Sequence, residues 1–143
     1  MSETSPAPSA DRRPSAAIRV VMMPKHTNAL GTIFGGIILS YIDQAGAVEG
    51  HRHTTGRLVT VAMREVEFIH PVYVGDLVSF YARTERVGTT SITVKVTVEA
   101  ERQRPARESV RVTEAAVVYV HVDDHGRPVP LTDPQGRQGA YSS

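Results

Sequence analysis

One stretch of this sequence holds the residue types needed to work on an activated carbonyl: a carboxylate, a carboxamide and a pair of glycines. The carboxylate is Asp43, in GGIILSYIDQAGAVE; the carboxamide is Asn28, 43 − 28 = 15 positions earlier in PKHTNALGTIFGG; the glycines are Gly35 and Gly36 between them. An aspartate can take a proton from water or attack a carbonyl carbon itself. An asparagine in an entry loop is more often a turn residue than a catalytic one. Backbone amides at the start of a helix lack intrahelical partners and carry the positive end of the dipole, so those of Gly35 and Gly36 can hold an oxygen as it gains negative charge. Each residue also has an ordinary reading: Asp43 as a hydrogen-bonding group at an interface, Asn28 as a turn residue, the glycines as a close crossing of helix and strand.

The element that must position them runs from Asn28 to Glu49 and reads as one central helix reached through a glycine-bearing loop. Phe34, Ile37, Ile38, Tyr41, Ile42, Ala45 and Val48 recur at the three-and-four spacing of a helix lying on a core. Asp43 follows Phe34 by 43 − 34 = 9 positions, which at about 100° per residue places it opposite that stripe. Its neighbours on that side are Gly36, Leu39, Ser40, Gly46 and Ala47, small or apolar residues where a solvated face would carry charge. This second face is therefore expected to be covered, by a second chain, a ligand or both. Thr32 is a candidate cap for the helix and Gly56 a candidate terminator.

Before the helix, Ala17 to Met23 has the β-branched content of a strand. After it the period changes from helical to alternating. RLVTVAMREVEFI predicts a long strand with an irregularity near Arg64, LVSFYARTERV a second and SITVKVTVEAER a third, in which Ile92, Val94, Val96 and Val98 share one face. RQRPARE is a polar loop and SVRVTEAAVVYVHVD a further strand. Strand, helix and four long strands on mostly short connections predict an α+β fold: an antiparallel sheet wrapped around one helix. Residues 1–15 and 125–143, rich in Ser, Pro, Gly and charge, are expected to be tails flanking a single domain over 16–124.

Composition narrows the function classes. At 143 residues the chain suits one domain, and 41% hydrophobic with 22% charged residues is globular usage. A formal net charge of +1 gives no reason to expect nucleic acid or a membrane surface as partner. Without cysteine there is no disulfide, thiolate nucleophile or Cys-ligated metal. The first residues lack the apolar core of a secretory signal and no apolar run reaches membrane-spanning length, so the cytoplasm is the expected compartment. His26, His51 and His53 do not follow zinc-ligand spacing. Arg57, Arg64, Arg83 and Arg86 stand near predicted strand ends and suit either phosphate or solvent. No phosphate-binding loop, dinucleotide fingerprint or nucleophile elbow is present.

MPKHTNALGTIFGGIILSYIDQAG, GRLVTVAMREVEFIHPVYVGDLV and RVGTTSITVKVTVE, in that order over about residues 20–123, resemble the hotdog-fold acyl-CoA thioesterases of the bacterial and cytosolic acyl-CoA hydrolase group. The resemblance implies hydrolysis of acyl-CoA to a free acid and CoA, with no metal or redox cofactor. It implies a catalytic asparagine in the loop and a catalytic acid in the helix, matched here by Asn28 and Asp43, and contacts to CoA from Arg86, Val87, Gly88, Thr89, Thr90 and Ser91. It further implies homodimers whose sites combine residues of both subunits, assembled as trimers of dimers. Two other readings stay open: a hotdog hydratase or dehydratase using His26 with the acid, and a non-catalytic acyl-CoA sensor.

Overall fold

The computed structural model describes residues 15–102 and 107–132, so the expectations for residues 1–14 and 133–143, and for the middle of the RQRPARE loop, lie outside the described residues. The elements follow the predicted order: β1 (Ile18–Val21), α1 (Gly35–Gly50), β2 (Arg57–Arg64), β3 (Leu77–Val87), β4 (Ser91–Arg102) and β5 (Glu108–Val122). All five strands form one antiparallel sheet in the order β1-β3-β4-β5-β2. β4 sits at its centre. Ile92, Val94, Val96 and Val98 are completely buried, as their alternation predicts, and they form the floor on which α1 lies.

The helix is held by Ile38, Ile42 and Ala45, all buried, and by Tyr41 against Phe80 with ring centroids 5.6 Å apart. Burying each isoleucine contributes roughly 1.5–3 kcal/mol. The face is rotated from the predicted one, however. Phe34 and Val48, assigned to the core stripe, are 59% and 53% exposed, whereas Gly46 and Gly50 are buried. A Cβ on Gly46 would collide with the hydroxyl of Tyr119, so β5 drives a large side chain under the helix and the backbone closes over it only because position 46 is glycine. Of the second face, Gly46 is thus covered by the chain's own sheet, and Leu39 and Ala47 pack against the core. Gly36 and Ser40 remain exposed beside Gln44 and Val48.

Four local expectations are corrected. Thr32 does not cap α1: Phe34 occupies that position, with no side-chain cap, and Thr32 Oγ1 instead accepts from Asn28 Nδ2 at 3.0 Å. Gly56 does not end the helix, which stops at His51; Gly56 makes room for the ring of His121. The strand from Arg57 ends at Arg64, where Glu65 takes φ 60, and its irregularity lies between Thr60 and Ala62. β2 is an edge strand with Val59 and Val61 exposed at 42% and 56%. Finally, the chain does not leave the fold after Asp124. It reverses over Asp123–Arg127 and returns along β5, with Val129 N–H donating to His121 O at 2.9 Å.

Candidate active site

Asp43 lies in the middle of α1 on the flank facing β2 and β5, half-buried. The hydroxyl of Thr60 donates to its Oδ1 at 2.7 Å. The phenol of Tyr119 lies 2.7 Å from the Asp43 carbonyl oxygen and 3.3 Å from the same Oδ1, bridging backbone and carboxylate. Among the described residues no hydrogen bond reaches Oδ2. One carboxylate oxygen is thus fixed and the other keeps its lone pairs. Burial, then the charge of Asp43, then the hydrogen bond to it push the Tyr119 phenol well above the usual tyrosine range, so Tyr119 stays a neutral donor. Thr60 and Tyr119 were not singled out by sequence reasoning. Alternation places Tyr119 on the inner face of β5, but only the conjunction of a large inward phenol with an inward helix glycine signals a polar anchor.

Asn28 builds its own loop. Its Oδ1 accepts from Leu30 N at 2.8 Å and Thr32 N at 3.2 Å, its Nδ2 donates to Thr32, and its backbone N–H donates to Thr32 O at 2.8 Å. The loop is pinned in turn by Ile33 N–H on Val72 O and Phe34 N–H on His26 O, both 2.8 Å. No hydrogen bond joins Asn28 to Asp43 within one chain. His26 is likewise engaged locally, its Nδ1 accepting from Met23 N at 3.0 Å.

The start of α1 opens on a cleft of about 390 Å³ lined mainly by Ile33, Gly35, Ile38, Phe68, Ile69 and Val72. Gly35 lies in ordinary contact range of Phe68, a hypothetical Cβ coming within 3.6 Å of the ring, whereas the side of Gly36 faces open space. Crowding inside the chain therefore does not account for the second glycine. The amides of both residues head a helix with no capping side chain, so they are available to a ligand's oxygen.

Arg86 to Ser91 span the end of β3, the connection at 88–90 and the start of β4, closed by Gly88 N–H on Ser91 O at 2.7 Å, with Arg86, Val87 and Thr89 exposed. This turn belongs to the other end of the helix, where Glu49 bonds Thr84 near the end of β3. Within one chain, then, the cleft lies at the start of α1 and the turn follows the part of β3 that meets its end, the helix between being about 24 Å long at 1.5 Å per residue for 16 residues. Among the described residues no three His, Asp or Glu side chains gather as a metal site, and no helix is long and apolar enough to cross a membrane.

This helix-in-sheet architecture has clear counterparts among known proteins. A model of the thioesterase superfamily matches residues 30–106. The chain is 41% identical over 116 residues to the acyl-CoA thioester hydrolase YciA of Salmonella typhimurium, covering 80% of this chain and 87% of that one. Among solved structures, a hexameric hotdog fold thioesterase of Campylobacter jejuni aligns with a TM-score of 0.79 at 38% identity, covering 90% of this chain and 98% of the other. A hexameric broad-specificity acyl-coenzyme A thioesterase aligns at 0.78 and 36%, covering 90% and 88%. The chain has the hotdog fold. It belongs to the thioesterase superfamily, and within it stands beside the acyl-CoA thioester hydrolases.

Proposed function

We propose that this protein hydrolyses acyl-CoA thioesters to a carboxylic acid and CoA. The observation that carries the reading is Asp43: a carboxylate fixed through Oδ1 by Thr60 and Tyr119 while Oδ2 stays open, on a helix whose uncapped start at Gly35 opens on a cleft of mixed apolar and polar lining. The acyl chain occupies the cleft and its carbonyl oxygen lies against the Gly35 and Gly36 amides. Water attacks the carbonyl carbon as Asp43 takes its proton, and the amides hold the oxyanion. Collapse breaks the carbon–sulfur bond, and the proton on Asp43 passes to the departing thiolate. No metal or redox partner enters these steps. Direct attack by Asp43, with water then cleaving the anhydride, gives the same products, and solvent-oxygen labelling under single turnover separates the two courses.

We assign the site to two subunits. Asn28 makes no hydrogen bond to Asp43 in its own chain, and the Arg86–Ser91 turn, which we assign to the CoA portion, lies toward the other end of the helix from the cleft of the same chain. A two-fold pair formed on the exposed helix face and the β2 edge, where Gly36, Ser40, Gln44, Val48, Val59 and Val61 are exposed, covers apolar surface and a free edge together. Asn28 of one subunit then orients the water or carbonyl beside Asp43 of the other. Trimers of dimers, acting in the cytoplasm without nucleic-acid or membrane partners, complete the proposal; the hexameric relatives support it.

Thiol release from a panel of acyl-CoAs is the test. Turnover by the wild type and its loss in Asp43→Asn support hydrolysis. An intact thioester with a changed acyl chain would move the assignment to a hydratase, and CoA binding without turnover to a sensor. Mixing Asn28→Ala with Asp43→Asn subunits is expected to restore part of the activity, because a hybrid pair regains one complete site.

A further inference from the structure

His121 is a completely buried imidazole that the proposed reaction does not use. Its Nδ1 stands 3.1 Å from Val129 O and 3.2 Å from Pro130 O, and its Nε2 3.4 Å from Thr54 Oγ1. Carbonyls only accept, so Nδ1 presents a proton to them, while Nε2 lies against Thr54 Oγ1, which receives Gly56 N–H at 2.9 Å. The imidazole thereby ties residues 129 and 130 to the sheet. Upstream, Asp123 Oδ1 accepts from His125 N at 2.8 Å and Arg127 N at 3.0 Å and shapes the reversal, with Gly126 at φ 80.

The returning segment has a destination. Leu131 N–H donates to Thr89 O at 2.9 Å, while His121 N–H donates to Thr90 O at 2.8 Å. Two successive carbonyls of the β3–β4 turn are thus held by β5 and the segment it clips, and the Leu131 side chain rests on the core. With its carbonyls fixed inward, the turn keeps Arg86, Val87 and Thr89 exposed outward.

We propose that the Gly126–Leu131 strap, clipped by His121, is a positioning element for CoA: it sets the shape of the Arg86–Ser91 turn, and so governs affinity for the nucleotide end of the substrate and not the chemistry at the thioester. This rests on the assignment of that turn to CoA made above. His121 and Leu131 act through the turn and touch no reacting atom.

The experiment compares acyl-CoA with the same acyl group on pantetheine, which lacks the nucleotide, using the full chain. Leu131→Pro deletes the donor to Thr89; Leu131→Ala keeps it; Asp123→Ala loosens the reversal from the surface, without touching the core, and remains informative should Leu131→Pro misfold. Leu131→Pro is expected to raise KM for acyl-CoA by about five- to tenfold, the scale of one lost hydrogen bond, with kcat nearly unchanged and acyl-pantetheine kinetics unmoved. Asp123→Ala is expected to show the same pattern more weakly and Leu131→Ala little change. An unaltered KM for acyl-CoA in Leu131→Pro and Asp123→Ala, or equal losses on both substrates, overturns the proposal. Calorimetric titration with CoA measures the same loss of affinity without turnover. If the wild type binds CoA yet hydrolyses nothing, the hydrolase reading fails and the strap is still judged by the loss of CoA affinity; if the wild type does not bind CoA, the strap proposal falls as well.

Discussion

Two carboxylates leave the sheet-facing side of α1, and they are treated differently. Glu49 has a donor on each oxygen: Oε2 takes the amide and hydroxyl of Thr84 at 3.2 and 2.7 Å, and Oε1 takes the exposed Arg52 at 3.4 Å. Asp43, six positions earlier (49 − 43 = 6), has donors on one oxygen only. A carboxylate with both oxygens engaged fastens one element to another; here it joins the end of the helix to β3. A carboxylate fixed through one oxygen keeps its orientation and still has lone pairs for a proton. The pattern of partners, more than burial or residue type, separates the acid proposed to react from the one that fastens the helix end.

The largest expected effect tests that distinction directly. Asp43→Asn preserves size and the acceptor for Thr60 but cannot act as a base, so turnover is expected to fall by about 10²–10⁴-fold with the fold intact. Glu49→Gln is expected to keep turnover within a few-fold and to lose stability instead. Thiol-release rates beside thermal melts of both variants decide it; similar catalytic losses in the two would end the comparison.

Next in size is the support under Asp43. Gly46→Ala places a methyl group on the Tyr119 hydroxyl, with the ring's Cζ and Cε2 at 3.1 and 3.2 Å, so the helix or the ring must shift. Overpacking of this kind costs about 1–3 kcal/mol. Tyr119→Phe removes the hydroxyl but leaves the ring, so in denaturant titrations the double variant is expected to be less destabilised than the sum of the singles. Strict additivity would show that the phenol and Gly46 are not in contact.

How much of this is readable from the chain alone follows from which signals are local. β4 declares itself because every second residue is buried, and the helix because its isoleucines recur. Asp43, Asn28, Gly35 and Gly36 stand out by type and neighbourhood. The rotation of the helix face is not readable, since Gly46 and Gly50 are buried for the sake of Tyr119 on β5 and Leu58 on β2, and an apolar stripe counts glycine as nothing. Glu65, with its positive φ, breaks a strand in the middle of continuing alternation. The strap escapes for the opposite reason: GRPVPL has the composition of a tail, and its order comes from a histidine and two carbonyls elsewhere. Backbone-directed polar contacts leave little trace in a sequence.

A smaller effect marks the Tyr119 anchor by pH. Burial, reinforced by Asp43, raises the Tyr119 phenol above its ordinary value of about 10. Above that pH the unfolded chain releases a proton that the folded one keeps, so stability present below about pH 10 declines as pH rises. The limiting slope for one group is about 1.4 kcal/mol per pH unit. Tyr119→Phe is expected to flatten this alkaline decline in denaturant midpoints taken between about pH 9 and 11, and an unchanged slope would place the phenol in water.

The smallest effect belongs to Glu49 and runs the other way. Burial pushes its carboxyl up, but the hydrogen bonds from Thr84 and Arg52, with the charge of Arg52, outweigh it and leave the group below its ordinary value of 4.5. A depressed carboxyl contributes stability that is fully present above the unfolded value and is lost as pH falls through the folded one, so the loss lies in the acid range, below about pH 4.5. Its side chain is only 13% exposed, yet Arg52 is 75% exposed and adds little through solvent, which leaves Thr84 as the partner that matters. Glu49→Gln is therefore expected to cost on the order of 1 kcal/mol at neutral pH and less at an acid pH below about 4.5, as the wild-type carboxyl takes up its proton. Thr84→Val should reproduce most of that pH-dependent difference and Arg52→Ala little of it. Urea midpoints at the two pH values check this; an equal cost at both would show that Glu49 holds the helix end by packing, and that its charge is as idle as its chemistry.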